Sequence, residues 1–243
     1  MGFKLWVGQT VENTLDTIIA RNYRMASFIP NGRILELDLK RAGVNLQTVF
    51  DVGANEGQSA LSYLKHFPTA TIYCFEPVKD VYKKLVTLTN NSQIKCFDVA
   101  LGDVAGKAEI YKSAKYNGIG AINGATAAAL TESETIDIAV GEDICCEHQV
   151  SHIDLLKIDV EGYEIPVLRG LESMLAKTKF IYVEAGLFTD DPCKTYLNTL
   201  MEYLRPYNFI VSGFYSQYRL GRYKFKLNHC DVLFTNAALV DVG

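Results

Sequence analysis

Val49-Phe50-Asp51-Val52-Gly53-Ala54-Asn55-Glu56-Gly57, followed by Cys74-Phe75-Glu76-Pro77, is the stretch that decides the fold. Thr48 to Val52 is a short apolar run that breaks at a glycine, and helical spacing (Ala60, Leu61, Leu64) begins around Gly57. This reads as the first strand–turn–helix unit of a doubly wound α/β sheet, whose tight turn lets a ligand approach backbone amides. The second strand, Thr71 to Phe75, ends on Glu76, where a carboxylate can accept hydrogen bonds from both hydroxyls of a ribose.

What the turn lacks narrows the ligand. A dinucleotide site needs G-x-G-x-x-G, with glycines beneath a pyrophosphate at the helix start. Here Gly53 and Gly57 stand four apart with Asn55 between them, and Gln58 and Ser59 follow. Asparagine tolerates a positive φ, so the sharp turn survives while the dinucleotide spacing is lost. Asp51 adds a carboxylate at the strand end, which repels a pyrophosphate and suits a cation. S-adenosylmethionine carries a sulfonium, an ammonium and an adenosine without a phosphate, and it fits this pattern better.

The 243 residues can bury a sizeable core, and the balance of 49% hydrophobic to 21% charged residues is that of an ordinary globular domain. A formal net charge of −4 argues against broad nucleic-acid binding, which needs a surplus of lysine and arginine. The six cysteines form no C-x-x-C pair, so they read as reduced thiols rather than a zinc site or disulfide framework. With no long apolar segment at the start and no run of membrane-spanning length, the expected location is the cytoplasm.

Residues 1–46 read as a small helical N-terminal cap: Val11, Leu15, Ile18 and Ile19 fall at helical spacing, and Ile34 to Ala42 resumes the pattern after Pro30-Asn31-Gly32. It is expected to pack on the sheet edge, or else to cover the cofactor cleft or form a homodimer contact. Residues 47–243 alternate strands and helices, the mark of a mostly parallel sheet with helices on both faces. Further strands are expected at Ile94 to Val99, Asp154 to Val160 and Phe180 to Glu184, and helices from Pro166 and from Cys193 to Leu204. Strand-like pieces at Ala108 to Lys112 and Thr135 to Val140 flank a small-residue loop, Tyr116 to Thr131, that either selects substrate or is a plain insertion. The closing runs Phe209 to Tyr215 and Asp231 to Phe234 complete seven strands if the second lies antiparallel beside the fifth.

Ligands of such sheets sit beyond the carboxyl ends of the strands, so polar residues there map the site. They are Asp51, Glu76, Asp98, Asp159, Glu161 and Glu184. Converging carboxylates repel one another unless a cation or hydrogen-bond donors offset them.

The runs Phe50 to Gly57, Cys74-Phe75-Glu76-Pro77, Val99-Ala100-Leu101-Gly102-Asp103 and Leu156-Lys157-Ile158-Asp159-Val160-Glu161-Gly162-Tyr163-Glu164 resemble the FkbM-type S-adenosylmethionine-dependent methyltransferases. The resemblance covers about residues 47–236, in motif order, and the Asp159-to-Gly162 run is its most specific piece. It implies a class I methyltransferase, Rossmann-like fold and methylation of a hydroxyl on a sugar or a polyketide-type product. Asp51, Gly53, Asn55, Gly57, Gln58 and Ser59 would form the first cofactor loop, and Glu76, followed by Pro77, would hold the ribose. Asp98 and Val99 would flank the adenine, and Asp159 would lie near the methionine amino group and the transferring methyl.

Methylating an alkyl hydroxyl requires in-line approach and removal of a poorly acidic proton. The candidates for that proton are Asp159, Glu161, Glu184 and His229, with His152 read as a surface residue. Alternatively two or three of the carboxylates hold a divalent ion, magnesium or manganese, that acidifies the hydroxyl. The stretch Tyr215 to Lys226 interleaves four cations with aromatics. It is either a solvated hairpin or a rim where Tyr218 or Tyr223 stacks on a sugar while Arg219 or Arg222 pairs with an anionic or phosphate-linked glycan acceptor. Base-directed methylases carry Asn or Asp-Pro-Pro-Tyr or Phe after the fourth strand, and this chain has Asp159-Val160-Glu161-Gly162. A nicotinamide oxidoreductase and a non-catalytic cofactor-binding protein are the rival classes.

Overall fold

A computed structural model describes residues 34–112, 117–119, 132–188, 193–220 and 226–242. The chain divides into two compact units, Met1–Asn45 and Leu46–Gly243. In the first, helix α1 (Leu35–Arg41) buries Leu35 and Leu39, one turn apart, and carries basic residues in its last turn. Residues 1–33 of the expected cap lie outside the described residues.

The second unit is built on a seven-stranded sheet. Its strands are β1 (Thr48–Val52), β2 (Thr71–Phe75), β3 (Ile94–Phe97), β8 (Ile153–Ile158), β9 (Thr178–Gly186), β10 (Phe209–Leu220) and β11 (Lys226–Asn236), in the order β10-β11-β9-β8-β1-β2-β3. Neighbours from β3 to β9 pair parallel, and β11 enters antiparallel between β9 and β10. This is the class I methyltransferase arrangement expected from the sequence. β8 is buried at every position, as a central strand covered on both faces must be.

Alternate residues divide the two faces. Phe50, Val52, Leu156, Ile158, Ile181, Val183, Val232 and Phe234 join one core with helices α4 (Gly141–Glu147), α5 (Glu164–Arg169), α6 (Glu172–Leu175) and α7 (Leu197–Leu204). On the opposite face α2 (Gln58–His66) approaches Asp51 through the Ala60 amide, and α3 (Lys79–Leu88) follows β2. α5 starts at Glu164 rather than Pro166. A proline in the first helical turn sacrifices no hydrogen bond, so it need not be the first residue. α7 starts at Leu197, after the chain segment at Cys193 to Tyr196. No described helix is long and apolar enough to cross a membrane.

Two expectations need correction. The third strand stops at Phe97 rather than Val99; Asp98 and Val99 form a bend, and the chain then enters a second, four-stranded sheet. That sheet comprises β4 (Ala100–Gly102), β5 (Gly106–Lys112), β6 (Asn117–Ile119) and β7 (Glu132–Val140), in the order β4-β7-β5-β6. Part of the expected loop is therefore a strand, and 120–131 lies outside the described residues. The outer strand β10 slips register at Val211/Gly213 and again between Tyr215 and Arg219.

Asp154 fastens the amino edge of the sheet. Its Oδ2 accepts the backbone N–H groups of Gln47 (2.6 Å) and Thr48 (3.0 Å), and its Oδ1 lies 2.7 Å from the Lys179 ammonium. Burial pushes this carboxyl upward, but Lys179 and the two amides outweigh burial and hold it below the usual carboxylate range. With the folded pKa depressed, the stabilisation is complete above the unfolded value and disappears as pH falls through the folded one. Asp154→Asn should therefore lower stability by about 1–3 kcal/mol at pH 7 and flatten the acid limb of a urea-denaturation series below about pH 4.

Candidate active site

The turn after β1 is shaped by three left-handed residues, Gly53 (φ 75°), Asn55 (φ 50°) and Gly57 (φ 91°). Gly53 also has no room for a side chain, because a Cβ there would lie 1.9 Å from the Asp159 carbonyl oxygen. The amides of Gly53 and Ala54 both donate to the Phe75 carbonyl (3.0 and 3.1 Å), which ties the turn to the end of β2. Glu76 completes the tie. Its Oε2 accepts the Asn55 amide at 3.0 Å and its Oε1 accepts the Val78 amide at 2.9 Å. Each carboxylate oxygen keeps a second lone-pair direction for an incoming hydroxyl. Burial raises the Glu76 carboxyl pKa, and the two amides work against that rise.

Asp51 is placed differently from the sequence reading. Its carboxylate is fully buried and paired across the β1/β8 register with Lys157, Oδ1 to Nζ 3.0 Å. Lys157 also donates to the Gly53 carbonyl (2.9 Å) and stands 3.6 Å from Asp159. Burial alone would lower the lysine pKa, but Asp51 and Asp159 outweigh burial and hold it above its ordinary value. Asp51 thus reaches the turn through Lys157, with no side-chain atom open to a ligand. The signal was present in the sequence: a lysine within the apolar strand run Leu155-Leu156-Lys157-Ile158 must find a buried counter-charge.

Asp159, Glu161 and Glu184 do converge, with one carboxylate oxygen from each lying within 4.8 Å of the others. Asp159 is the open member, with 46% of its side chain exposed. The chain turns sharply after β8 through Glu161 (φ 53°) and Gly162 (φ 97°). The residue that caps this turn is Glu164, not Glu161: Glu164 is wholly buried and accepts the Gly162 amide at 3.1 Å and the Thr195 hydroxyl. Glu161 and Glu184 instead both bind the ammonium of Lys194, a residue the sequence reading passed over. Burial raises both carboxyl pKa values, with Lys194 pulling them back.

Glu184 has a second partner. Its Oε1 lies 3.2 Å from Nε2 of His229, which is in β11 opposite Gly186. The antiparallel insertion of β11 brings this histidine to the carboxyl end of β9. The Tyr218 ring stacks on His229, with centroids 4.7 Å apart and planes 11° off parallel. Tyr218 is half exposed, and Arg219 beside it donates to the Gln217 side chain at 2.8 Å. Arg222 and Tyr223 lie outside the described residues. Asp98 is exposed in the bend after β3 and Val99 is half-buried, while Gln58 and Ser59 open α2 and Pro77 lies between Glu76 and α3. His152 is exposed, 3.8 Å from Asp154 at the amino edge, away from this constellation.

A left-handed glycine turn, a ribose-competent carboxylate and a cluster with surplus negative charge suit a positively charged nucleoside cofactor, and the fold places them at the methyltransferase edge of the sheet. The Methyltransferase FkbM domain matches residues 51–211, more than half of the chain. The chain belongs to this family of methyltransferases. It is 28% identical over 153 residues to the 2-O-methyltransferase NoeI of Sinorhizobium fredii, covering 56% of this chain and 62% of that protein. It is also 28% identical over 148 residues to the hexuronic acid methyltransferase AglP of Haloferax volcanii, covering 60% and 59%. The chain thus spans about three-fifths of the length of the curated relatives it matches. Among solved structures, TrmK of M. capricolum in complex with S-adenosyl-homocysteine is a remote likeness. It is 10% identical over 84% of this chain and 70% of that chain, with a TM-score of 0.48.

Lys157→Met should test how far the turn depends on the buried pair. It leaves the Asp51 carboxylate uncompensated, so a loss of about 3–5 kcal/mol is expected in urea denaturation. Adding Asp51→Asn should recover most of that loss. A single variant as stable as the wild type would show that Lys157 contributes nothing to the fold.

Proposed function

We propose that this protein transfers the methyl group of S-adenosylmethionine to a hydroxyl of a sugar in an anionic glycan or glycoconjugate. The observation that carries the reading is the Glu184–His229 contact at the carboxyl edge, beside the Gly53–Gly57 turn and Glu76. The names of the relatives support the acceptor class: one is a 2-O-methyltransferase and the other acts on a hexuronic acid.

Glu76 would hold the ribose, the turn from Gly53 to Gly57 would follow the methionine portion, and Asp159 would face its ammonium. Asp98 and Val99, in the bend after β3, would border the adenine. Bound there, the cofactor supplies an electrophilic methyl group on a sulfonium. The protein supplies position and a proton acceptor. Glu184 orients the His229 ring through Nε2; the hydroxyl proton goes to Nδ1, which faces the Asn228 side-chain amide at 3.2 Å and exchanges that contact for the acceptor hydroxyl as its oxygen attacks. Tyr218, already stacked on His229, offers its outer surface to a sugar ring, and Arg219 offers its guanidinium to an acidic group on the acceptor.

Three measurements test this reading. Glu76→Ala, which removes two charge-assisted bonds, should weaken S-adenosylhomocysteine binding by roughly 30- to 150-fold in calorimetric titration. Glu184→Gln and His229→Gln should lower kcat on a uronic-acid glycoside by about 10²- to 10⁴-fold while leaving cofactor affinity nearly intact. Arg219→Ala should raise the KM for the acidic acceptor and leave that for a neutral sugar unchanged. Wild-type kinetics in both dyad variants would remove Glu184 and His229 from the chemistry.

A further inference from the structure

We propose that Lys194 is a positioning residue that acts as the resident cation of the acceptor-side carboxylates. It takes the seat a divalent metal would occupy among Asp159, Glu161 and Glu184, and it holds Glu184 toward His229. The inference rests on the proposed methyl transfer for its kinetic arm only.

The ammonium touches both Glu161 and Glu184, and the lysine side chain is only 10% exposed. The next residue, Thr195, anchors it to β9 and to the turn after β8. The Gly186 amide donates to the Thr195 carbonyl at 2.9 Å, and the Thr195 hydroxyl donates to the buried Glu164 that caps the turn after β8. Gly186 also clears the space, since a Cβ there would fall 2.8 Å from the Lys194 Cβ. The loop after β9 and the turn after β8 therefore cooperate to deliver one positive charge between their own carboxylates. Glu184 divides its two oxygens, Oε2 to Lys194 and Oε1 to His229. A divalent ion bound by the same three carboxylates would have to displace an ammonium already in contact with two of them. The seat is filled by an ammonium of the chain itself, and the carboxylate that orients His229 is fixed without a metal.

The test uses the full chain, with Mn2+ as the probe. Electron paramagnetic resonance should show no ordered Mn2+ site in wild type and one in Lys194→Ala, weakened at least about tenfold by adding Glu161→Gln. Lys194→Arg, which keeps the charge, should remain without a site. In turnover with S-adenosylmethionine and a uronic-acid glycoside, wild type should ignore EDTA. Lys194→Ala should lose about tenfold or more in kcat, keep S-adenosylhomocysteine affinity within about twofold, and recover partly with ethylammonium. A Mn2+ site in wild type that Glu184→Gln abolishes, or a Lys194→Ala protein that binds no Mn2+, would overturn the proposal. Should wild type methylate no sugar, the acceptor reading falls, while the Mn2+ spectra still decide what Lys194 does.

Discussion

One buried ammonium sets the geometry of the cofactor half. Lys157 stands in the central strand with Asp51 across the register, Asp159 at the strand end and the Gly53 carbonyl within hydrogen-bonding distance. Taking such a charge out of water costs several kcal/mol, and only a complete set of partners offsets it. The lysine therefore cannot move without stranding a carboxylate. The turn after β1 and the strand end after β8 are consequently held in one relation, with Gly53 pressed against the Asp159 carbonyl. A ligand that fits this relation meets a preformed surface, which spares it the cost of ordering the loops.

Glu161 and Glu184 repeat the device with Lys194, which is as little exposed as Lys157. Here the cation arrives from a loop rather than a strand, and it bridges carboxylates that belong to two different strand ends. The contrast follows from what each half must do. The cofactor is a constant, and a rigid seat within the sheet suits it. Loops on a fixed scaffold change most readily, which suits a seat for a variable ligand.

Much of this was legible from the residues. β1 and β2 coincide with the expected strands because each is a short apolar run ended by a turn, and the positive φ of Asn55 follows from the glycine spacing. The antiparallel last strand was readable because only that placement completes the sheet. In the second sheet β5 and β7 coincide in large part with expected strand-like pieces, whereas β4 and β6 have three residues each and no periodicity develops over so short a span. Asp51 was assigned outward because position along a strand reveals depth but not which face the side chain occupies. Lys194 escaped notice for a different reason: Glu184 and Glu161 stand 10 and 33 residues away, at no helical or strand spacing, and an isolated lysine near a proline carries no pattern. The capping role of Glu164 carried no signal in the sequence, because it depends on the left-handed pair at Glu161–Gly162, which turns the Gly162 amide toward it.

The register slips in β10 have a consequence for how the molecule behaves among its own copies. A twelve-residue outer strand with Ile210, Phe214 and Tyr218 exposed would, if straight, present an uninterrupted ladder of unpaired amides and carbonyls. Such a ladder invites cross-β pairing between molecules. The irregularities at Val211/Gly213 and between Tyr215 and Arg219 break that ladder into short pieces with unequal twist. The outer strand can then carry Tyr218 to its stack on His229 while remaining a poor template for aggregation.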